Sequence, residues 1–127
     1  SLHDALPILI DTGNGSLKGV PAVIDKDFAS CKIAELIDAD LLVVLTAVEQ
    51  VAINFGKPNQ KNLSRITVDE AKKYIEEGQF APGSMLPKIK AALIFVEAKE
   101  GRKAIITSLE KAKDAINEVA GTVICMN

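Results

Sequence analysis

Apolar and polar positions fall in blocks along this chain, and the blocks change period in a definite order. Leu41-Leu42-Val43-Val44-Leu45 is a continuous apolar run of strand length, as expected for a strand covered on both faces. Ahead of it Phe28, Cys31, Ala34 and Leu36-Ile37 recur at close to helical spacing. That spacing predicts a helix from Phe28 that stops around Ala39-Asp40. Earlier still, Val20-Pro21-Ala22-Val23-Ile24 reads as a short strand, and Thr12-Gly13-Asn14-Gly15-Ser16 as the tip of a hairpin or loop. Residues 46–66 show no sustained period, with a short strand at Val51-Ala52-Ile53 and a turn at Gly56-Lys57-Pro58-Asn59.

The second half is more regular. Thr67 and Glu70 are spaced as a capping box, opening a helix through Tyr74 and Ile75 that ends at Gly78. Another helix follows Gly83-Ser84, with Ile89, Ala92, Leu93 and Val96 on one face. Lys103–Thr107 is a second buried-type strand. Thr107-Ser108-Leu109-Glu110 offers a further capping box, predicting a helix through about Val119, and Gly121–Ile124 a last strand. Strand and helix alternate, which predicts an α/β fold: a doubly wound, mostly parallel sheet with helices on both faces. Ligands of such sheets lie beyond the carboxyl ends of strands. Asp25–Asp27, Thr46–Val48 and Ser108 are the positions this rule selects.

Composition narrows the function classes. At 127 residues, 48% apolar and 25% charged, the chain has the make-up of one globular domain. Fifteen Lys+Arg against seventeen Asp+Glu give a net charge of -2, which argues against a nucleic-acid partner. No apolar run approaches the roughly 20 residues that cross a bilayer, and no basic stretch leads into an apolar one near the start, so neither a membrane partner nor a secretory signal is expected. His3 is the single histidine, and Cys31 and Cys125 have no metal spacing. No metal site built from protein ligands and no Cys-His or Ser-His nucleophile is therefore expected. Gly-x-Gly-x-x-Gly and Gly-Lys-Ser/Thr are both missing, which disfavours a Rossmann dinucleotide site and a P-loop.

Two clusters carry candidate chemistry. Asp25-Lys26-Asp27 stands at a strand-to-helix junction. It reads either as a simple helix start, since Asp caps well and suits the dipole, or as a carboxylate–ammonium pair facing an anionic ligand. In Gly83-Ser84-Met85-Leu86-Pro87-Lys88, Pro87 requires a first helical turn. Lys88 and Lys90 then lie against the helix dipole by a few tenths of a kcal/mol each. An anion at that N-terminus would reverse the sign, and phosphate is the usual one. The alternative is that both lysines extend into water.

Longer blocks add a resemblance. Ala22–Ala29 (AVIDKDFA), Ala39–Thr46, Asn54–Gln60 (NFGKPNQ), Glu77–Lys88 (EGQFAPGSMLPK) and Ile105–Glu110 occur in order, and together they closely resemble the carbamate kinase family. The resemblance covers residues 9–127 and implies the amino-acid kinase fold, with this chain as its C-terminal nucleotide-binding lobe. Residues 1–8 look unlike the family and are expected to be foreign to it. It further implies a phosphotransferase that interconverts ATP plus carbamate with ADP plus carbamoyl phosphate, using Mg2+, in the cytoplasm, within arginine catabolism and as a homodimer when complete. Residue by residue, Asp27 resembles the family's organising aspartate, and Lys26 and Lys88 the lysines on the transferring phosphoryl group. Thr46, Phe55, Gly83, Ser84 and Met85 match positions around the nucleotide. Ala47 departs from the pattern, since relatives often carry aspartate there. A fragment lacking the other lobe is expected to bind nucleotide without turning over. A non-catalytic nucleotide-binding half-module and another amino-acid kinase are the competing readings.

Overall fold

The computed structural model describes residues 7–21 and 25–127. Most of the segment expected to be foreign (residues 1–6), and the Ala22-Val23-Ile24 part of the expected first strand, lie outside them. The chain opens with an antiparallel hairpin, β1 (Pro7–Asp11) and β2 (Leu17–Pro21). Its tip is the expected Gly-Asn-Gly segment: Asp11 accepts from the Gly13 N–H at 2.7 Å, and Asn14 from the Ser16 N–H at 3.1 Å.

The body is a four-stranded sheet in the order β3-β7-β8-β6. Its strands are β3 (Leu41–Thr46), β6 (Arg65–Thr67), β7 (Lys103–Ser108) and β8 (Thr122–Cys125). β3 pairs parallel with β7 and β6 with β8, while β7 and β8 run antiparallel. The short ribbon β4 (Ala52–Ile53) and β5 (Lys61–Asn62) stands apart from that sheet. The helices are α1 (Lys26–Leu36), α2 (Val68–Glu76), α3 (Met85–Glu97) and α4 (Ala112–Ile116).

Strand periodicity divides the core. Alternate residues Leu42, Val44, Ala104, Ile106 and Ile124 face the main core with α3, whose Ile89, Ala91, Ala92, Leu93, Phe95 and Val96 are buried. Ile105 and Val123 point the other way, onto Ala115 of α4 and Leu41. Helices thus cover both faces, although α4 is a thin cover: Leu109, Ile116 and Val119 stay exposed.

The first capping-box spacing makes its N-cap, with Thr67 Oγ1 accepting from the Glu70 N–H at 3.2 Å and meeting Glu70 Oε1 at 3.2 Å. The second does not. Thr107 is an interior residue of β7, Ser108 makes no side-chain cap bond, and the chain continues as a 3-10 turn over Leu109–Lys111 into the five-residue α4. The expected helix through Val119 is accordingly replaced by a shorter one ending at Ile116. The antiparallel entry of β8 depends on Gly121, whose φ is +79°; a Cβ there would stand 2.9 Å from the Ile106 carbonyl oxygen. Only glycine permits that approach.

Arg102 locks the opposite end of the sheet. It is 6% exposed, donates from Nε to the Ala39 carbonyl at 3.1 Å and from Nη2 to Asp38 at 3.1 Å, and lies 4.8 Å from the Phe95 ring centroid. Lys99 joins it on Asp38 at 2.8 Å. Their hydrogen bonds and charges, Lys99 foremost, hold the Asp38 carboxyl below its ordinary range.

Candidate nucleotide and phosphate site

The site forms where the carboxyl end of β3 meets the first turns of α1 and α3. Both helices start there for legible reasons. Asp25 caps α1, its Oδ1 accepting from the Asp27 N–H at 3.0 Å and the Phe28 N–H at 3.2 Å. Ser84 occupies the N-cap position of α3 without a side-chain cap bond, and no acidic residue stands in that first turn. Pro87 sits at the third helical position, where it sacrifices no hydrogen bond.

These starts bring Asp27 and Lys88 together across the α1–α3 contact. Lys88 Nζ lies 3.1 Å from Asp27 Oδ1 and 3.4 Å from Oδ2, a forked contact between side chains 21% and 18% exposed. The two readings of Asp25-Lys26-Asp27 therefore divide between residues: Asp25 is the cap and Asp27 the ion-pair partner. Lys26, Asp27, Ser30 and Lys88 line a polar cleft of about 220 Å³ against Val43, Val44 and Leu45 of β3. Lys90 is exposed, as its solvated reading requires.

Beyond β3 a second cleft of about 230 Å³ opens, lined mainly by apolar groups. Thr46, Phe55, Ser84 and Met85 all border it, whereas Gly83, although next in sequence, does not. Ala47, the position that departs from the family pattern, also lines it and brings no charge to its wall. Sequence reasoning missed Gln50, Gln79 and Phe80, which also line it. Gln79 lies within a recognised block, and that was the available signal. Next to the lining residues Gln50 and Ala52, Thr122 ties two segments together: its hydroxyl accepts from the Val51 N–H at 2.8 Å and donates to the Leu63 carbonyl. Gln50 donates to the Gly121 carbonyl at 3.2 Å.

The two clefts differ in chemistry and share β3 and α3 as walls. One is mainly apolar, with Phe55 and Met85 at its border; the other carries two ammonium groups and a carboxylate. Apolar walls with a few polar groups suit a planar ring, and lysines beside a helix N-terminus suit phosphate oxygens. The residues present fit a nucleotide. Among the described residues no group of three or more Asp, Glu, His or Cys side chains is placed to hold a metal ion. No described helix is long and apolar enough to cross a membrane.

A family model described as the amino acid kinase family matches residues 2–108. The chain belongs to the amino acid kinase family. Among curated members of this family, the carbamate kinase-like protein YqeA of Escherichia coli is 52% identical over 98% of this chain and 43% of its own length. Carbamate kinase 1 of Enterococcus faecium is 59% identical over 85% of the chain and 35% of its own length. The carbamate kinase from Giardia lamblia bound to AMP-PNP superposes with a TM-score of 0.83 at 42% identity, over 90% of this chain and 40% of that one. The chain thus spans roughly two fifths of the length of these amino acid kinase relatives. The expected fold class and family resemblance hold, with one antiparallel pair inside the mostly parallel sheet.

Proposed function

We propose that this chain is the nucleotide-binding part of a carbamate kinase, the enzyme that reversibly transfers the γ-phosphoryl group of ATP to carbamate. The observation that carries this reading is the forked Asp27–Lys88 contact lining the charged cleft beside the apolar one. In this reading the base lies in the apolar cleft beside Phe55 and Met85, with Thr46, Gly83 and Ser84 along the path of ribose and phosphates. Lys26 and Lys88 hold the transferring phosphoryl group, and Asp27 sets their positions. Phosphoryl transfer asks little covalent chemistry of the protein, so positioned charge is the chief contribution. Magnesium carried in on the phosphates would add neutralising charge there, with Asp27 the carboxylate in reach.

Carbamate is a small anion, and neither arginine of this chain lines either cleft. Arg102 is at the opposite end of the sheet, and Arg65 opens the far-edge strand β6. The reading therefore places the acceptor on the remaining part of a complete carbamate kinase. In that complete protein Asp27→Asn is expected to cut kcat roughly 100-fold or more while changing nucleotide KM little, because the amide keeps the shape but not the charge that holds two ammonium groups. Steady-state kinetics with kcat unchanged would reduce Asp27 to a structural residue of the α1 start.

A further inference from the structure

We propose that Gln79 is a positioning residue for the nucleotide: a two-point amide clamp on Asn54 that holds Phe55 over the apolar cleft. This rests on the reading of that cleft as the nucleotide site.

The clamp is built from both ends. At the end of α2 the chain turns through Gly78 at φ +70°, with the Gly78 N–H donating to the Ile75 carbonyl and the Gln79 N–H to the Tyr74 carbonyl, both at 3.0 Å. This Schellman-type turn fixes the direction in which the Gln79 side chain leaves the helix. Its Oε1 accepts from the Asn54 N–H at 2.8 Å, and its Nε2 donates to Asn54 Oδ1 at 3.3 Å. Asn54 adopts φ +53°, a left-handed conformation that asparagine tolerates better than most residues.

The loop beyond Asn54 is bonded largely to itself. The Lys57 N–H donates to the Asn54 carbonyl, the Gln60 N–H to the Lys57 carbonyl, and the Gly56 N–H to Gln60 Oε1, each at 3.0 Å. Phe55 rides on this loop 69% exposed, so burial of its own ring does little to hold it. Phe55 and Gln79 nevertheless line one cleft, with Met85 of α3. The loop is the turn of the β4–β5 ribbon, whose pairing ties its two ends together but gives it no hold toward α2 or α3. The Gln79 amide supplies that hold at the residue before the ring, and joins the loop to the segment that leads into α3.

Calorimetric titration of the 127-residue chain with ADP, together with amide hydrogen exchange on the free protein, tests the clamp. Gln79→Ala is expected to weaken ADP binding about tenfold. Phe55→Ala should weaken it similarly, and the double variant should be no weaker than Phe55→Ala alone, because Gln79 acts through Phe55. In the free Gln79→Ala protein the Asn54 amide should lose protection while the core amides of Ile89, Val96, Ile105 and Ile106 keep theirs, which separates a released loop from a destabilised domain. Equal ADP affinity in wild type and Gln79→Ala, additive losses in the double variant, or unchanged Asn54 protection would each overturn the clamp alone. Absence of ADP binding to wild-type protein whose core amides are protected would overturn the nucleotide reading and the clamp with it.

Discussion

Replacing Lys88 by methionine keeps most of the side chain's length and removes its charge, which makes it a sharp perturbation of the site. At 3.1 Å the Coulomb attraction to Asp27 is about 5 kcal/mol for an effective dielectric of about 20, and desolvation of both ions offsets most of it. Exposed pairs contribute about 0–1 kcal/mol, whereas truncating one member of a fully buried pair costs about 3–5 kcal/mol. Side chains 21% and 18% exposed fall between those limits, so Lys88→Met is expected to cost about 1–3 kcal/mol of folding stability. The binding effect is separable. Loss of one charge-assisted phosphate contact is worth about 1.5–3 kcal/mol, so ADP affinity should fall roughly 10- to 150-fold. Adenosine affinity should hardly change, because Lys88 lines the polar cleft and not the apolar one. Calorimetric titrations of both ligands, at a temperature where both proteins are folded, give the comparison. Equal ADP affinity would refute the phosphate assignment, and a parallel loss of adenosine would show that α3 itself had shifted.

Two further predictions concern stability. Thr107 Oγ1 is enclosed without a hydrogen-bond partner among the described residues, so the near-isosteric Thr107→Val should be neutral or stabilising by up to about 1 kcal/mol in chemical denaturation; a clear loss of stability would reveal a partner for the hydroxyl. Asp38 has its carboxyl held low by Lys99 and Arg102, so its contribution is present above the unfolded-state value of about 3.9 and is lost as pH falls through the lower folded-state value. Asp38→Asn, which still suits the left-handed φ of +55°, should therefore be less stable than wild type at neutral pH, with the gap narrowing below about pH 4; a constant gap down to about pH 2.5 would contradict it.

Several features were legible in the sequence because they depend on local chemistry. The Leu41–Leu45 run became nearly all of β3, although as an edge strand with alternate residues buried and Leu45 exposed instead of one covered on both faces. Thr67 capped α2, and Pro87 fixed the start of α3 within a residue. The same logic failed at Thr107, where an identical Thr-x-x-Glu spacing lies in a strand whose interior burial overrides the cap. The spacing encodes only a local option, and burial of Thr107 inside β7 close to Gly121 decided against it. The direction of β8 was equally hidden. An apolar tetrapeptide specifies burial but not polarity, and the antiparallel pairing depends on the close approach at Gly121. At the site, the charged members stood out because a lysine near a helix start is locally unfavourable. Gln79, Asn54 and Thr122 did not stand out, since an amide or hydroxyl acts only through partners that are 25 to 71 residues away.

The charges at the junction of α1 and α3 explain why its polar residues need one another. Lys26 is the first residue of α1 and Lys88 the fourth of α3, so both cations stand at the positive ends of helix dipoles. The Asp25 carboxylate is spent on the backbone N–H groups of α1. Asp27 is left to neutralise Lys88 while also satisfying the dipole of its own helix. Asp27 thus meets Lys88 directly while Lys26 lines the same cleft, so two ammonium groups and two helix starts face one free carboxylate and the balance stays positive. Such a junction favours an anion that brings several oxygens at once, and it disfavours one that brings a single charge to either lysine alone. Removing Asp27 would raise the attraction for anions and at the same time release Lys88 from its fixed position. Affinity and geometry would then move in opposite directions, so under the proposed function kcat of the complete enzyme, more than binding, is the quantity that tests Asp27.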